Sequence, residues 1–138
     1  EASSEAKMAR KQLDPSKIHP AAESKLAERH PETIAEIEAA IATHKVVVVG
    51  MAQNPHVKNV KKALTEAGIE FKYLEYGSYF SEWSRRLTIK LWSGWPTFPQ
   101  VFVRGVLLGG EDLTKAALGD GTLRARIDTA VDPSALIA

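Results

Sequence analysis

The chain contains no cysteine. That absence excludes a disulfide framework, a thiolate-ligated metal or iron–sulfur centre, and a thiol nucleophile of the protein's own. Thiol–disulfide exchange proceeds by attack of a thiolate on a disulfide sulfur, so this chain has no group with which to perform it. Its two methionines, Met8 and Met51, are thioethers with no proton to lose. Long apolar runs are also lacking. The string Val46 to Val49 falls far short of the ~20 residues that cross a bilayer, and it lies too deep in the chain for a signal peptide. No membrane association and a cytoplasmic location are the resulting expectations. Charge of one sign is lacking too: 18 Lys and Arg stand against 17 Asp and Glu, a formal net charge of +1. Nothing in that balance calls for nucleic acid or an anionic surface. Gly50-Met51-Ala52-Gln53 lacks the second glycine and the Lys-Ser/Thr pair of a phosphate-binding loop. The four histidines show no zinc spacing, so no metal and no required cofactor are expected.

What is present is the material of one globular domain. Its 138 residues, 44% hydrophobic and 25% charged, suffice for a single core of ordinary size. Residues 1–30 read as a flexible or partly helical extension, with Met8 a candidate native start and a short helix expected from Ala21 to Arg29. Residues 31–130 read as the domain and 131–138 as a tail. Pro31-Glu32-Thr33 opens a helix: proline suits the first helical position, and Glu32 suits the positive helix end. Ile34, Ile37 and Ile41 then form one apolar stripe to about Thr43. Val46 to Val49, β-branched throughout and followed by Gly50, reads as a strand buried on both faces.

Asn54-Pro55 starts the next helix, whose Val57, Val60, Leu64 and Ala67 share a face and whose stop is Gly68. Ile69 to Glu75 alternates as a second strand. Strand, helix, strand within about thirty residues is a right-handed crossover unit. Ser81 is expected to cap a helix from Glu82 to about Trp92, with Trp83, Leu87 and Leu91 on its buried face. Asp112 is expected either to cap a helix over Leu113 to Leu118 or to meet a ligand. A last helix is expected from Leu123 to about Thr129. The order helix, β, α, β, α, β, β, α predicts an α/β fold, a mixed sheet with helices on both faces.

The most constrained stretch is 95–110, Trp-Pro-Thr-Phe-Pro-Gln-Val-Phe-Val-Arg-Gly-Val-Leu-Leu-Gly-Gly. Pro96 and Pro99 stiffen an extended approach. Val101 to Val103 suits a strand, Arg104-Gly105 a tight hairpin turn, and Gly109-Gly110 a sharp bend. Thr97-Phe98-Pro99, the two strands, and then Gly109-Gly110-Glu111-Asp112 resemble the pattern of the glutaredoxins, and Trp95-Pro96-Thr97 resembles their monothiol members. The resemblance covers roughly residues 45–118. It implies the thioredoxin fold, a four-stranded mixed sheet flanked by helices, here with an extra N-terminal helix. It also implies a cis Pro99 whose neighbouring peptide groups, at Thr97 and Phe98, grip the cysteinyl part of glutathione.

Where dithiol glutaredoxins carry Cys-Pro-Tyr-Cys, this chain has Asn54-Pro55-His56-Val57. The proline and the basic, apolar helix that follows coincide; both cysteines are replaced. Asn54 is expected to cap the helix. His56 would sit in the first turn of that helix, either as a general base near a ligand or, the stronger expectation, as an exposed or partly packed histidine, with no acid placed by sequence to make a dyad with it. Met51 falls where the family has a lysine for the glycyl carboxylate of glutathione, and Arg86 and Lys90 are the candidate replacements. Gly110 and Asp112 match the family's contacts to the ligand's other end. The leading expectation is a degenerate glutaredoxin-like protein, redox-inactive, that binds glutathione or an extended peptide beside Pro99. Two alternatives stand beside it. One is a protein-interaction module docking a partner through the N-terminal segment or through Trp83, Trp92 and Trp95. The other is a transferase-like enzyme that uses glutathione's own thiol, with His56 or Asn54 positioning it.

Overall fold

The computed structural model describes residues 10–129. The expectations for residues 1–7, Met8 and the 131–138 tail lie outside the described residues. A 3-10 turn (Pro15–Lys17) and helix α1 (Pro20–Glu28) precede α2 (Pro31–Thr43), β1 (Val46–Gly50) and α3 (Pro55–Glu66). Then come β2 (Lys72–Glu75), α4 (Trp83–Ser93), β3 (Gln100–Val103), β4 (Val106–Gly109), α5 (Glu111–Gly119) and α6 (Thr122–Asp128). The sheet order is β2-β1-β3-β4. β1 runs parallel to β2 and antiparallel to β3, and β3 pairs antiparallel with β4. This is the four-stranded mixed sheet of the thioredoxin fold.

The four valines of β1 explain the two-sided core. Successive side chains on a strand point to opposite faces, and here both faces are covered. Val47 and Val49 pack with Ile37 of α2, Ile89 of α4 and Phe102 of β3. Val46 and Val48 pack with Val60 and Leu64 of α3, Ala117 of α5 and Leu123 of α6. All four are at most 1% exposed, and each contributes roughly 1.5–3 kcal/mol by leaving water. The hairpin turn at Arg104-Gly105 has positive φ at both residues, 51° and 82°, the backbone that matches the twist of paired strands. At Gly109, φ is 125°, a backbone that L side chains rarely adopt, so the bend between β4 and α5 favours glycine.

Three expectations are corrected. β2 begins at Lys72 and not at Ile69, because its register starts opposite Val47 and the Ile69 amide instead closes the end of α3 on the Leu64 carbonyl (3.0 Å). Ser81 does not cap α4: Glu82 holds that position in the left-handed region, and the Ser81 hydroxyl accepts from the Ser78 amide (3.1 Å). The buried face of α4 is also rotated. Trp83 is 65% and Leu91 58% exposed, whereas Arg86, Thr88 and Ile89 are buried. The cause lies in Arg86, whose guanidinium donates to the carbonyls of Tyr76 (2.9 Å) and Ser81 (2.5 Å). Those bonds tie the 86/89 side of the helix to the end of β2 and turn 83 and 91 outward.

Candidate functional site

Three chain segments converge beyond the ends of the central strands. The first is the start of α3. Asn54 has extended backbone, and its Oδ1 accepts from the amides of His56 (2.9 Å) and Val57 (3.2 Å). A helix N-terminus leaves its first amides without partners, and here a neutral side chain occupies them. Val57 is buried in the core, so neither position that a cysteine would take in this frame offers an ionisable group.

The second segment is Thr97-Phe98-Pro99, and its Phe98-Pro99 peptide is cis. Among the described residues, no backbone group pairs with the amide or carbonyl of Thr97 or Phe98. Phe98 is buried and holds the segment down by its ring. The third segment is the start of α5, where Gly110 is the N-cap and makes no side-chain cap bond. Asp112 therefore does not cap this helix. It lies exposed in the first turn, beside Glu111.

Between these segments runs a groove of about 500 Å³, lined by His56, Trp95, Thr97, Phe98, Pro99, Gly110, Glu111, Asp112 and Leu113. The structure thus brings His56, the Thr97–Pro99 segment, Gly110 and Asp112 together. Lys90 is not among the lining residues; its Nζ lies 5.6 Å from the centre of the Phe98 ring. Arg86 is not brought there as a free cation: it is buried and donates to the two carbonyls already named. Met51 is buried in the core and offers the groove no charge. Among the described residues no group of three His, Asp or Glu is placed to hold a metal ion.

Glu111 is the residue missed from the sequence. His56 Nδ1 lies 2.6 Å from Glu111 Oε1, and Lys115 Nζ lies 2.7 Å from Glu111 Oε2. The hydrogen bond from Lys115, then that from His56, hold the Glu111 carboxyl down at about 2 against an ordinary 4.5. His56, expected to have no acidic partner, has one supplied by a different helix. The available signal was that Glu111 opens α5 directly after Gly110 and His56 is the second residue of α3, directly after Pro55. Two helix starts beside one groove bring their first-turn side chains together. Trp95, named from the sequence as a docking candidate, lines this groove instead, with its buried Nε1 unpaired and its indole 3.5 Å from where a Gly110 side chain would begin.

The glutaredoxin family model matches residues 46–108. A "Glutaredoxin-like protein" of Dictyostelium discoideum is 60% identical over 94 residues, 68% of this chain and 76% of that protein. A ycf64-like uncharacterized monothiol glutaredoxin of Synechocystis is 33% identical over 74% of this chain and 97% of its own length. Among solved structures, oxidized glutaredoxin 2 of Chlamydomonas reinhardtii aligns with a TM-score of 0.62 at 30% identity, covering 72% of this chain and 94% of that one. A buckwheat glutaredoxin–glutathione complex aligns with a TM-score of 0.64 at 21% identity, over 77% and 93%. With no helix among the described residues long and apolar enough to cross a membrane, with the sheet order and the groove in place and no cysteine anywhere, the chain belongs to the glutaredoxin family as a member without its redox residues.

Proposed function

We propose that the groove beside Pro99 binds glutathione, or an extended peptide of similar shape, and performs no disulfide chemistry on it. One observation carries this reading: the groove stays open, at about 500 Å³, while the helix amides that would stabilise a thiolate are taken by Asn54 Oδ1. The unpaired peptide groups at Thr97 and Phe98 suit an extended ligand that adds alongside them as a strand does. Asp112 offers a carboxylate to the ligand's amino group, and the first turn of α5 favours an anion. Lys90 takes the glycyl carboxylate in place of the absent lysine. A related fold in complex with glutathione, the buckwheat protein, agrees with a ligand of this size.

Calorimetric titration with reduced glutathione tests the proposal, read together with amide shifts in the protein. Heat of binding and shifts at Thr97, Phe98 and Gly110 are expected. A titration with neither overturns it. A second reading, a protein-docking module, is favoured by the aromatic surface of Tyr79, Phe80 and Trp83, which are 56%, 93% and 65% exposed. It predicts binding of a protein partner that excess reduced glutathione does not displace and that is lost on Phe80→Ser.

A further inference from the structure

The His56–Glu111 pair is a chemical device that a binding groove does not require. An ionised carboxylate only accepts hydrogen bonds, so the 2.6 Å contact at Glu111 Oε1 requires His56 Nδ1 to carry a proton. In neutral imidazole that leaves Nε2 bare, as an acceptor. The ring lines the groove together with Thr97 and Pro99. Its Nδ1 faces Glu111 and is turned toward α5. The charged groups around the pair are Glu111, Asp112 and Lys115, all on α5. The groove's remaining wall (Trp95, Thr97, Phe98, Pro99) carries no charge.

We propose that His56 is the proton acceptor for the thiol of a ligand held in this groove, with Glu111 as its positioning residue. The inference rests on the glutathione-binding reading above and adds a reaction to it. The ligand's S–H bond breaks, the proton goes to His56 Nε2, and sulfur keeps the electron pair as a thiolate. The imidazolium so formed is paired with Glu111 on one side and with the thiolate on the other. No electron leaves the ligand, and no oxidant is needed. The protein thereby presents a bound thiolate without supplying a sulfur of its own.

The test is a pH titration of thiolate absorbance near 240 nm for reduced glutathione at saturating protein, with S-methylglutathione as the blank. An opposite charge within a few ångströms lowers an acid's pKa by about 1–3 units, so roughly tenfold or more extra thiolate is expected at a given pH. His56→Gln is expected to return the bound thiol to its free value, and Glu111→Gln to give an intermediate one with a displaced pH profile. His56 is 65% exposed, so its replacement is expected to fold. Should it fail to fold, Glu111→Gln reads the same profile. Binding with an unshifted thiol overturns the proton-acceptor role and leaves the binding reading standing. A His56→Gln profile as low as that of the unaltered protein overturns it likewise. Absence of binding overturns both.

Discussion

Asn54 Oδ1 lies 2.9 Å from the His56 amide and 3.2 Å from the Val57 amide, which puts a neutral oxygen on the first free amides of α3. The same helix geometry serves two ends. A thiolate there is stabilised for chemistry, whereas an asparagine oxygen there stabilises the helix. Replacing Asn54 with Ala is therefore expected to lower unfolding free energy by about 1 kcal/mol, measured by urea denaturation. Asn54→Asp is expected to be nearly neutral.

Asn54→Cys restores a thiol to the start of α3. The variant is expected to gain measurable glutathione-dependent disulfide reduction in a coupled assay, at a level limited by Met51, which supplies no cation to the glutathione carboxylate. A folded variant that binds glutathione yet shows no exchange would mean that Asn54 does not stand at the family's nucleophile position.

Arg86 is expected to act on stability and not on ligand affinity. Each buried acceptor left without a partner costs about 1–3 kcal/mol, so Arg86→Met should destabilise through the Tyr76 and Ser81 carbonyls while glutathione affinity holds. Thermal unfolding and calorimetry on the same sample separate the two effects.

Lys90 is expected to behave in the opposite way. A hydrogen bond to a charged group is worth about 1.5–3 kcal/mol, so Lys90→Ala should weaken glutathione binding roughly ten- to a hundredfold. Its melting temperature should scarcely move, and glutathione ethyl ester, whose glycyl carboxylate is blocked, should lose the dependence on Lys90.

Glu111 makes the fold sensitive to acid. Its carboxyl is held at about 2 in the folded chain against an ordinary 4.5, so the folded state keeps it ionised where the unfolded chain begins to protonate. The resulting stabilisation is fully present above about pH 4.5 and is lost as pH falls toward 2. The stability difference between the unaltered protein and Glu111→Gln is expected to shrink across that window. A difference that stays constant from pH 5 to pH 2 would contradict the assignment.

The sequence by itself determined the order of elements, the doubly buried β1, the Asn54 cap and the absence of a cysteine thiol. Each is a local matter of side-chain type, capping or a missing atom. It determined much less about α4, where Trp83 and Leu91, two of three apolar residues at helical spacing, point outward. There a single buried guanidinium, satisfying carbonyls five and ten residues earlier, outweighs the apolar stripe in setting the helix's rotation. Only the tertiary structure decided that Arg86 belongs to the core and that Asp112 is no cap. The meeting of His56 and Glu111 was likewise a tertiary matter. They are 55 residues apart, on helices whose approach depends on how β1, β3 and β4 pair, and no local periodicity encodes a distance across a sheet.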